Sequence, residues 1–405
     1  MSPSVPLLQS PARLHVLLVG NYEHDRQESM QRYADMLAAG LPAFGVSVEL
    51  LKPVAFFGRL KSSASGLGKW LGYIDKFILF PLRLRWHCRH ARRSATGHRL
   101  LSSGLVVHLC DHSNAMYSLA LANVPHVVTC HDLLAVRSAL GHFPENKVGW
   151  TGRLLQRWII RGLRHASSIV CDSEATRGDL LALGGVDPSR ATTVHIGLNH
   201  AYSVRDEVWL KAGLAAIPLV ADLGPGGYIF HVGGSQWYKN RAGLLRIYFA
   251  YVNQGGRLPL VMAGKALSPE LADLIAARPA GATVIAPGNV SNDTLNALYG
   301  RAACLLFPSL QEGFGWPVLE AMASGCPVVC SDRASLPEVG GEAVRYFDPF
   351  DEAGATRQLA ALLAESPEEK AVRIRSGLAQ ASRFSTPVML AQLAGHYGKL
   401  IKASS

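Results

Sequence analysis

Two carboxylates, Glu312 and Glu320, have the spacing in this sequence that best suits ligand binding. They frame the segment Glu312-Gly-Phe-Gly-Trp-Pro-Val-Leu-Glu320, which lies between two short apolar runs. Pro317 suits the first turn of a helix, and Gly325 suits the left-handed position just past its end. The segment therefore predicts a strand, a glycine-punctuated loop, a short helix and a second strand. We expect Glu312 on the loop and Glu320 about one turn inside the helix.

This arrangement suits a nucleotide diphosphate sugar. A helix that begins at the carboxyl end of a parallel strand offers unpaired N–H groups and a partial positive charge to phosphates. A carboxylate that accepts hydrogen bonds from two hydroxyls can hold a sugar. We therefore expect the sugar at Glu312, the diphosphate at the helix N-terminus near the Phe314 and Gly315 amides, and the ribose at Glu320. The plain alternative is a connecting loop followed by a solvated helix with ordinary surface glutamates.

Several segments around this one resemble the retaining glycosyltransferases of family 4, which have the GT-B fold and a Glu-x7-Glu signature. The resemblance covers most of residues 225–350 and, more thinly, the first half of the chain. It implies an α/β protein with two Rossmann-like domains facing a cleft and a C-terminal helix that crosses back to the first domain. The other matching segments are Pro287-Gly-Asn-Val-Ser-Asn, Ser335-Leu-Pro-Glu-Val-Gly-Gly, Phe347-Asp-Pro, His231-Val-Gly-Gly and Lys239-Asn, and Val128-Thr-Cys-His-Asp-Leu.

The resemblance also implies roles for single residues. Glu312 would contact the donor hexose, Lys239 would neutralise the diphosphate, and His131 would lie across the cleft near the reacting centre, which makes these three the predicted catalytic residues. Many relatives carry an arginine where this chain has Gly234, and Arg241 and Lys265 are the candidates to replace that cation. The predicted donor-binding residues are Gly233, Gly234, Lys239, Asn289, Gly313, Phe314, Gly315, Val318 and Glu320.

Length and composition bound the remaining possibilities. A chain of 405 residues with 49% apolar content is enough for two cores. We predict an N-terminal acceptor-binding domain (1–215), a C-terminal nucleotide-sugar domain (216–383) and a returning helix (384–405). No signal peptide or membrane-spanning run is recognisable. Seven cysteines without a C-x-x-C pair fit a reducing cytoplasm, and the lack of any Asp-x-Asp predicts that no metal or cofactor is needed.

Polar residues follow several predicted strands of the first domain. Since the carboxyl ends of parallel strands line the ligand crevice, we take Asn21, Asp111, His112 and Asp132 as candidates for acceptor contacts. Asp172 and Ser173 follow another strand and are equally well explained as a cap of the next helix.

A basic, aromatic segment also lies in the first half. Residues 51–100 contain 11 Lys and Arg against the single Asp75, a net charge of +10 that equals the net charge of the whole chain. The segment predicts an element that lies on an anionic membrane surface. Its alternatives are a solvated basic face over buried aromatic residues and, without any supporting motif, a nucleic-acid site. The predicted membrane residues are Trp70, Phe77, Phe80, Arg83 and Arg85.

Together these observations predict a cytoplasmic enzyme on the inner face of the membrane. It would transfer a hexose, with retention, from a nucleotide diphosphate sugar to a glycan or polyprenyl-linked acceptor of a surface polysaccharide. No nucleic acid is expected as a partner. GDP-mannose is the preferred donor because of a general resemblance to mannosyltransferases, and a UDP-hexose is the alternative. A GT-B phosphorylase or epimerase and a non-catalytic binding module are the other classes.

Overall fold

The computed structural model describes residues 14–25, 28–59, 66–94, 104–121 and 123–404. It contains two parallel six-stranded sheets, each in its own α/β domain, and it confirms the expected GT-B architecture. The strands are apolar runs rich in Val, Ile and Leu, and most of their residues are fully buried, as in parallel sheets that are covered on both faces.

The first sheet has the order β2-β1-β3-β4-β5-β6. Its order reverses between β1 and β3, and ligands bind at such switch points, outside the carboxyl ends of the strands. The elements of this domain are β1 (His15–Val19), α1 (Glu28–Gly40), β2 (Ser47–Leu51), α2 (Gly66–Ile74), α3 (Phe80–Ser94), β3 (Leu105–Leu109), β4 (His126–Cys130), α4 (Leu134–Ala139), α5 (Trp150–His165), β5 (Ser168–Cys171), α6 (Glu174–Gly184) and β6 (Ala191–Thr193).

The second sheet has the order β12-β11-β10-β7-β8-β9, with its switch point between β7 and β10. The elements of this domain are α7 (Glu207–Gly213), α8 (Pro218–Ala221), β7 (Ile229–Gly233), α9 (Arg241–Asn253), β8 (Leu260–Gly264), α10 (Pro269–Ala276), β9 (Val284–Gly288), α11 (Asn292–Arg301), β10 (Cys304–Phe307), α12 (Trp316–Ala323), β11 (Val328–Ser331), α13 (Leu336–Gly340), β12 (Arg345–Phe347), α14 (Glu352–Leu363) and α15 (Pro367–Ser382).

Helix α7 lies just before the predicted domain boundary at residues 215–216, and it packs on α11. A Cβ atom on Gly300 would lie 2.6 Å from the Leu210 side chain, and one on Gly213 would lie 2.9 Å from Ala297. The small residues therefore allow the two helices to approach closely.

The last helix, α16 (Thr386–Ser404), crosses back to the first domain as expected. The Tyr397 hydroxyl lies 2.6 Å from His108 Nδ1, and His108 Nε2 lies 2.7 Å from the Thr129 hydroxyl. All three side chains are fully buried, and burial lowers the pKa of His108 to about 3. A neutral histidine thus joins the helix to strands β3 and β4 through hydrogen bonds, which fixes its position on the sheet.

Helices α2 and α3 form one continuous helix through a π-helical turn at Asp75–Leu79. Asp75 points inward, where its carboxylate accepts hydrogen bonds from the Tyr22 hydroxyl and from the Phe56, Phe57 and Gly58 amides at 2.9–3.2 Å. The only acidic residue of this basic segment is therefore buried and hydrogen-bonded inside the fold. No helix in the described ranges is both long enough and apolar enough to cross a bilayer.

Candidate active site

Glu312 and Lys239 meet at the switch point of the second sheet. Lys239 follows β7 and Glu312 follows β10, and these strands are neighbours although they are distant in sequence. Lys239 Nζ donates to Glu312 Oε1 at 2.7 Å, and the Ser309 hydroxyl donates to the same oxygen at 2.6 Å. Both charged side chains are largely buried, and in this ion pair the charge of each one neutralises the charge of the other. A bound diphosphate would compete for the ammonium group and release the carboxylate for sugar hydroxyls.

The loop between Glu312 and α12 presents backbone N–H groups. Gly315 has a φ of +104°, which a residue with a side chain rarely adopts. The Ser335 hydroxyl contacts the carbonyls of Glu312 and Phe314 at 3.0 and 2.7 Å. Within the described part of the chain, the Phe314 and Gly315 amides have no protein acceptor. These amides lie where α12 begins, so this end of the helix is suited to an anion.

The first domain holds the same loop from the other side. The Gly313 carbonyl accepts hydrogen bonds from the Ser173 and Thr176 hydroxyls at 2.7 and 3.1 Å. A Cβ atom on Gly313 would lie 2.0 Å from the His131 carbonyl oxygen, so only glycine fits there. Asp132 and Glu312 line opposite walls of a 120 Å³ cavity between the domains. The loop that would face the donor therefore depends on residues of both domains.

Glu338 forms a second link between the domains, and the sequence analysis did not single it out as a functional residue. Its carboxylate accepts the Glu174 amide at 2.9 Å and lies 2.5 Å from His195 Nε2. Burial alone would raise the pKa of Glu338, but the bonds from His195 and the Glu174 amide outweigh it and lower the pKa. The carboxylate therefore stays charged at the N-terminus of α6. Its only sequence signal was the Ser-Leu-Pro-Glu segment.

Glu320 lies one turn inside α12, as expected, but it is almost fully buried. Its Oε2 accepts the Tyr299 hydroxyl at 2.9 Å. Burial raises the pKa of Glu320 to about 7, although the bond from Tyr299 acts in the opposite direction. The residue is thus poised between its neutral and charged forms near neutral pH.

His131 is held on both sides of its ring. Its Nδ1 lies 2.5 Å from the Asp172 carboxylate, and its Nε2 lies 2.8 Å from the Cys110 carbonyl oxygen. Since both partners are acceptors, both nitrogens must donate, and the ring is an imidazolium. Burial would lower the pKa of His131, but the charge and hydrogen bond of Asp172 outweigh it and raise the pKa to about 9. The ring therefore supplies a fixed positive charge rather than a base.

The acceptor candidates Asn21, Asp111 and His112 lie at the switch point of the first sheet. Asn21 Nδ2 donates to Asp111 Oδ2 at 2.5 Å, and the Ser113 amide and hydroxyl donate to the same carboxylate at 2.8 and 2.7 Å. His112 Nδ1 lies 3.3 Å from Asp111. Burial would raise the pKa of Asp111, but the His112 and His131 charges and the Asn21 bond lower it. The carboxylate already has three donors within the protein, which leaves it little capacity to bind a further hydroxyl.

Comparisons with known proteins agree with this geometry. Residues 30–202 match the model described as Glycosyltransferase Family 4, and residues 224–377 match the model described as Glycosyl transferases group 1. The chain is a family 4 glycosyltransferase.

The relatives of this glycosyltransferase include several mannosyltransferases. The O-antigen chain mannosyltransferase B of Escherichia coli is 28% identical over 334 residues, which are 80% of this chain and 81% of that protein. The serotype-specific mannosyltransferase WbdA of Escherichia coli is 26% identical over 66% of this chain but only 33% of its own length. Among solved structures, the sucrose-phosphate synthase of Thermosynechococcus elongatus has a TM-score of 0.67 at 16% identity, covering 96% of this chain and all of that one. The Anabaena protein HepE with UDP and glucose has a TM-score of 0.63 at 14% identity, covering 95% and 100%.

The remaining predicted donor-binding residues of the glycosyltransferase differ in their position and exposure. Gly233 ends β7 near Lys239, Gly234 follows the strand, and Asn289 is exposed just after β9. Val318 was expected to contact the donor, but its side chain is fully buried in the core and its amide bonds to the Gly315 carbonyl.

Neither candidate for the second cation reaches Glu312 in this structure. The Arg241 guanidinium is buried and donates to the carbonyls of Lys265 and Ala266 at 3.0 and 3.3 Å, while the Lys265 side chain is exposed. Among the described residues no cluster of three or more His, Cys, Asp or Glu is arranged to hold a metal ion. All seven cysteines lie within the described ranges, are buried, and form no disulfide.

The predicted membrane residues divide into two groups. Trp70, Arg83 and Arg85 are exposed, and Phe77 is half-buried. Phe80 faces inward and packs on Tyr117 with ring centroids 5.0 Å apart, so it cannot contact a membrane. The helical spacing allows these aromatic residues to share one face, and only the fold decides which of them pack on the core.

Proposed function

We propose that this glycosyltransferase transfers mannose from GDP-mannose, with retention of configuration, to a glycan or polyprenyl-linked acceptor in the assembly of a surface polysaccharide. The main observation in support of a donor site is the Lys239–Glu312 ion pair beside the N-terminus of α12. The choice of mannose rests on the relatives, which include O-antigen mannosyltransferases and a mannosyltransferase of Mycolicibacterium hassiacum that is 45% identical over 83 residues, 20% of each chain. A UDP-hexose donor is the second candidate, since HepE was solved with UDP and glucose.

In the proposed reaction, different protein groups would bind the different parts of the donor. Lys239 and the α12 N-terminus would hold the diphosphate, Glu312 the hexose hydroxyls, and Glu320 the ribose. The bond from the anomeric carbon to the phosphate oxygen breaks, and the nucleoside diphosphate leaves with the electron pair. The acceptor hydroxyl forms its bond on the same face, and its proton passes to the departing phosphate oxygen.

Electrostatic stabilisation would come from the chain itself. The departing diphosphate gains negative charge, and the Lys239 ammonium and the α12 amides lie where they can offset it. The His131 imidazolium adds a fixed charge on the first-domain side of the cleft, held by Asp172. Since these groups neutralise the leaving group, we infer that transfer needs no metal ion or cofactor. Closure of the two domains would exclude water from the reacting centre.

A thermal-shift panel tests the donor assignment. The protein is heated with GDP, UDP, dTDP, ADP and the corresponding sugar nucleotides, with and without EDTA. A ligand that binds the native state raises its apparent stability, so we expect a shift with GDP and GDP-mannose that EDTA does not change. A shift with the UDP compounds only would select the second candidate. A shift that EDTA abolishes would refute the metal-free site.

Product analysis separates transfer from other reactions. GDP-mannose is incubated with the enzyme alone, with inorganic phosphate, and with membrane extracts that contain lipid-linked glycans. We expect GDP release to depend on the glycan and the new linkage to keep the α configuration of the donor. Conversion of the sugar nucleotide without an acceptor would indicate an epimerase, and sugar phosphate formed with inorganic phosphate would indicate a phosphorylase. We place the enzyme in the cytoplasm at the inner face of the membrane, where such acceptors would be reached.

A further inference from the structure

Helix α5 has an exposed apolar stripe that the sequence analysis did not identify. Trp150, Leu154 and Trp158 recur every four residues, and their exposed fractions are 75%, 59% and 37%. Helical spacing of four places these side chains on one face. Helix α5 contains no Asp or Glu, and its exposed arginines are Arg153, Arg157, Arg161 and Arg164.

A ladder of aromatic rings joins this stripe to the basic segment at α2 and α3. The ring centroids are 5.7 Å apart for Trp70–Tyr73, 5.3 Å for Tyr73–Phe77 and 5.2 Å for Phe77–Trp158. The opposite faces of α3 and α5 pack into the same hydrophobic core, so the exposed faces of both helices point to the same side of the domain. We call this the interfacial surface, and its apolar members are Trp70, Leu82, Trp86, Trp150, Leu154 and Trp158.

The exposed tryptophans of the described residues are concentrated there. Four tryptophans are exposed by more than a third, and all four belong to the interfacial surface, whereas Trp209, Trp237 and Trp316 are partly buried elsewhere. An exposed apolar patch of this kind on a single chain marks an interaction site. Tryptophan in particular favours the boundary between a bilayer and water, where its ring is apolar and its N–H remains hydrated.

The charge of the surface selects the partner. Asp75 is the only acid within α2, the π turn and α3, and it is turned into the fold. Within the described residues, α3 and α5 therefore expose many arginine side chains and no carboxylate of their own. Basic residues near an anionic leaflet each contribute about 1 kcal/mol. Arginine around tryptophan is the composition of elements that lie in a membrane interface.

We propose that the interfacial surface docks on an anionic lipid bilayer, with the tryptophans at headgroup level and the arginines on lipid phosphates. Helix α5 packs closely on the segment after β3, since a Cβ atom on Gly162 would lie 2.2 Å from the Ala115 carbonyl oxygen. That segment begins at Asp111 and His112, so docking would hold the acceptor side of the cleft near the lipid. The proposal that this surface docks on a bilayer depends only on the features of the surface. The role of docking in reaching a lipid-linked acceptor rests on the proposed function.

Vesicle flotation tests the proposal with the full chain. Vesicles of phosphatidylcholine are compared with vesicles that contain about a third phosphatidylglycerol, at low and high salt. We expect binding to the anionic vesicles only, weakened by salt, with a blue shift of tryptophan fluorescence. The double variant Arg153→Gln/Arg157→Gln should weaken binding about 30-fold, at about 1 kcal/mol for each charge. Trp150→Ala should also weaken it, because the most exposed ring is removed.

Matched controls lie on the second domain. Phe350 is 74% exposed and Arg357 is 70% exposed, so Phe350→Ala and Arg357→Gln remove similar groups outside the surface and should leave flotation unchanged. Binding that ignores lipid charge and salt would overturn the proposal. So would equal binding by all variants, or a dimer in light scattering that Trp150→Ala dissolves, which would make the surface a protein interface. The thermal shift with nucleotides, measured on the same variants, separates a failed docking surface from a failed donor site.

Discussion

Glu338→Gln should loosen the closed arrangement of the two domains. The Glu338 carboxylate accepts the Glu174 amide at the start of α6 and lies against His195 Nε2, and both partners belong to the first domain. Glutamine has nearly the same shape but no charge, and it offers one acceptor oxygen in place of two. Its NH2 group would then face either the Glu174 amide or His195, which are both donors when Glu338 is charged.

The size of the effect follows from these two bonds. A hydrogen bond to a charged group contributes about 1.5–3 kcal/mol, and a neutral one about 0.5–1.5 kcal/mol. Replacing the carboxylate thus costs roughly 1 kcal/mol for each bond, or about 2 kcal/mol in favour of the open form. This corresponds to a shift of about 30-fold in the ratio of closed to open molecules.

Two measurements report on this shift. Small-angle scattering should show a larger radius of gyration for Glu338→Gln, and kcat/KM for transfer should fall by up to about 30-fold because only the closed form assembles both walls of the cleft. Nucleoside diphosphate affinity should change much less, since Lys239 and Glu320 lie on the second domain. Glu342→Gln removes an exposed carboxylate four residues along the chain and serves as the control. Scattering and kcat/KM within about twofold of the wild type for Glu338→Gln would refute the reasoning.

Four further outcomes are expected. Glu312→Ala should reduce turnover strongly while nucleotide affinity in calorimetry is retained, and Glu320→Ala should chiefly weaken nucleotide affinity; the reverse pattern would contradict the assigned roles. Because burial raises the pKa of Glu320 to about 7 and ribose hydroxyls favour its charged form, nucleotide Kd should tighten between about pH 6 and 8, and Glu320→Gln should flatten that profile. The same raised pKa makes the free protein less stable as the pH rises from about 4.5 through about 7, since ionisation of Glu320 opposes the folded state, and urea midpoints across that range can confirm the sign. Tyr397→Phe should lower stability by about 1–3 kcal/mol in urea unfolding, because it leaves the buried His108 Nδ1 without its partner, and an unchanged midpoint would show that the contact is dispensable.

The donor loop was predictable because its signals are local. Pro317 and Gly325 bracket a helix through backbone preferences that do not depend on the rest of the fold, and the positive φ of Gly315 explains the second glycine of the loop. The two-domain architecture followed from the chain length and apolar content and from the family resemblance. The family resemblance supplied the roles of Lys239 and His131, which the spacing of residues could not provide.

Buried polar contacts were less predictable. His131 was expected near the reacting centre, and its neighbours Asp172 and Cys110 show that the ring is a fixed cation with both nitrogens occupied. Glu338 lay in a recognised segment, yet nothing in that segment indicates that its carboxylate reaches the first domain. Such contacts join residues far apart in sequence, so no local pattern encodes them.

The sequence by itself determined the local units: the strand, loop and helix around Glu312, the apolar strands, and the concentration of positive charge between residues 51 and 100. Tertiary structure decided which units meet. The strand order brings Lys239 to Glu312, and the core buries Phe80 while Trp70 and the α5 stripe stay exposed. The physical reason is that periodicity defines the faces of an element, whereas burial depends on the neighbours that cover each face.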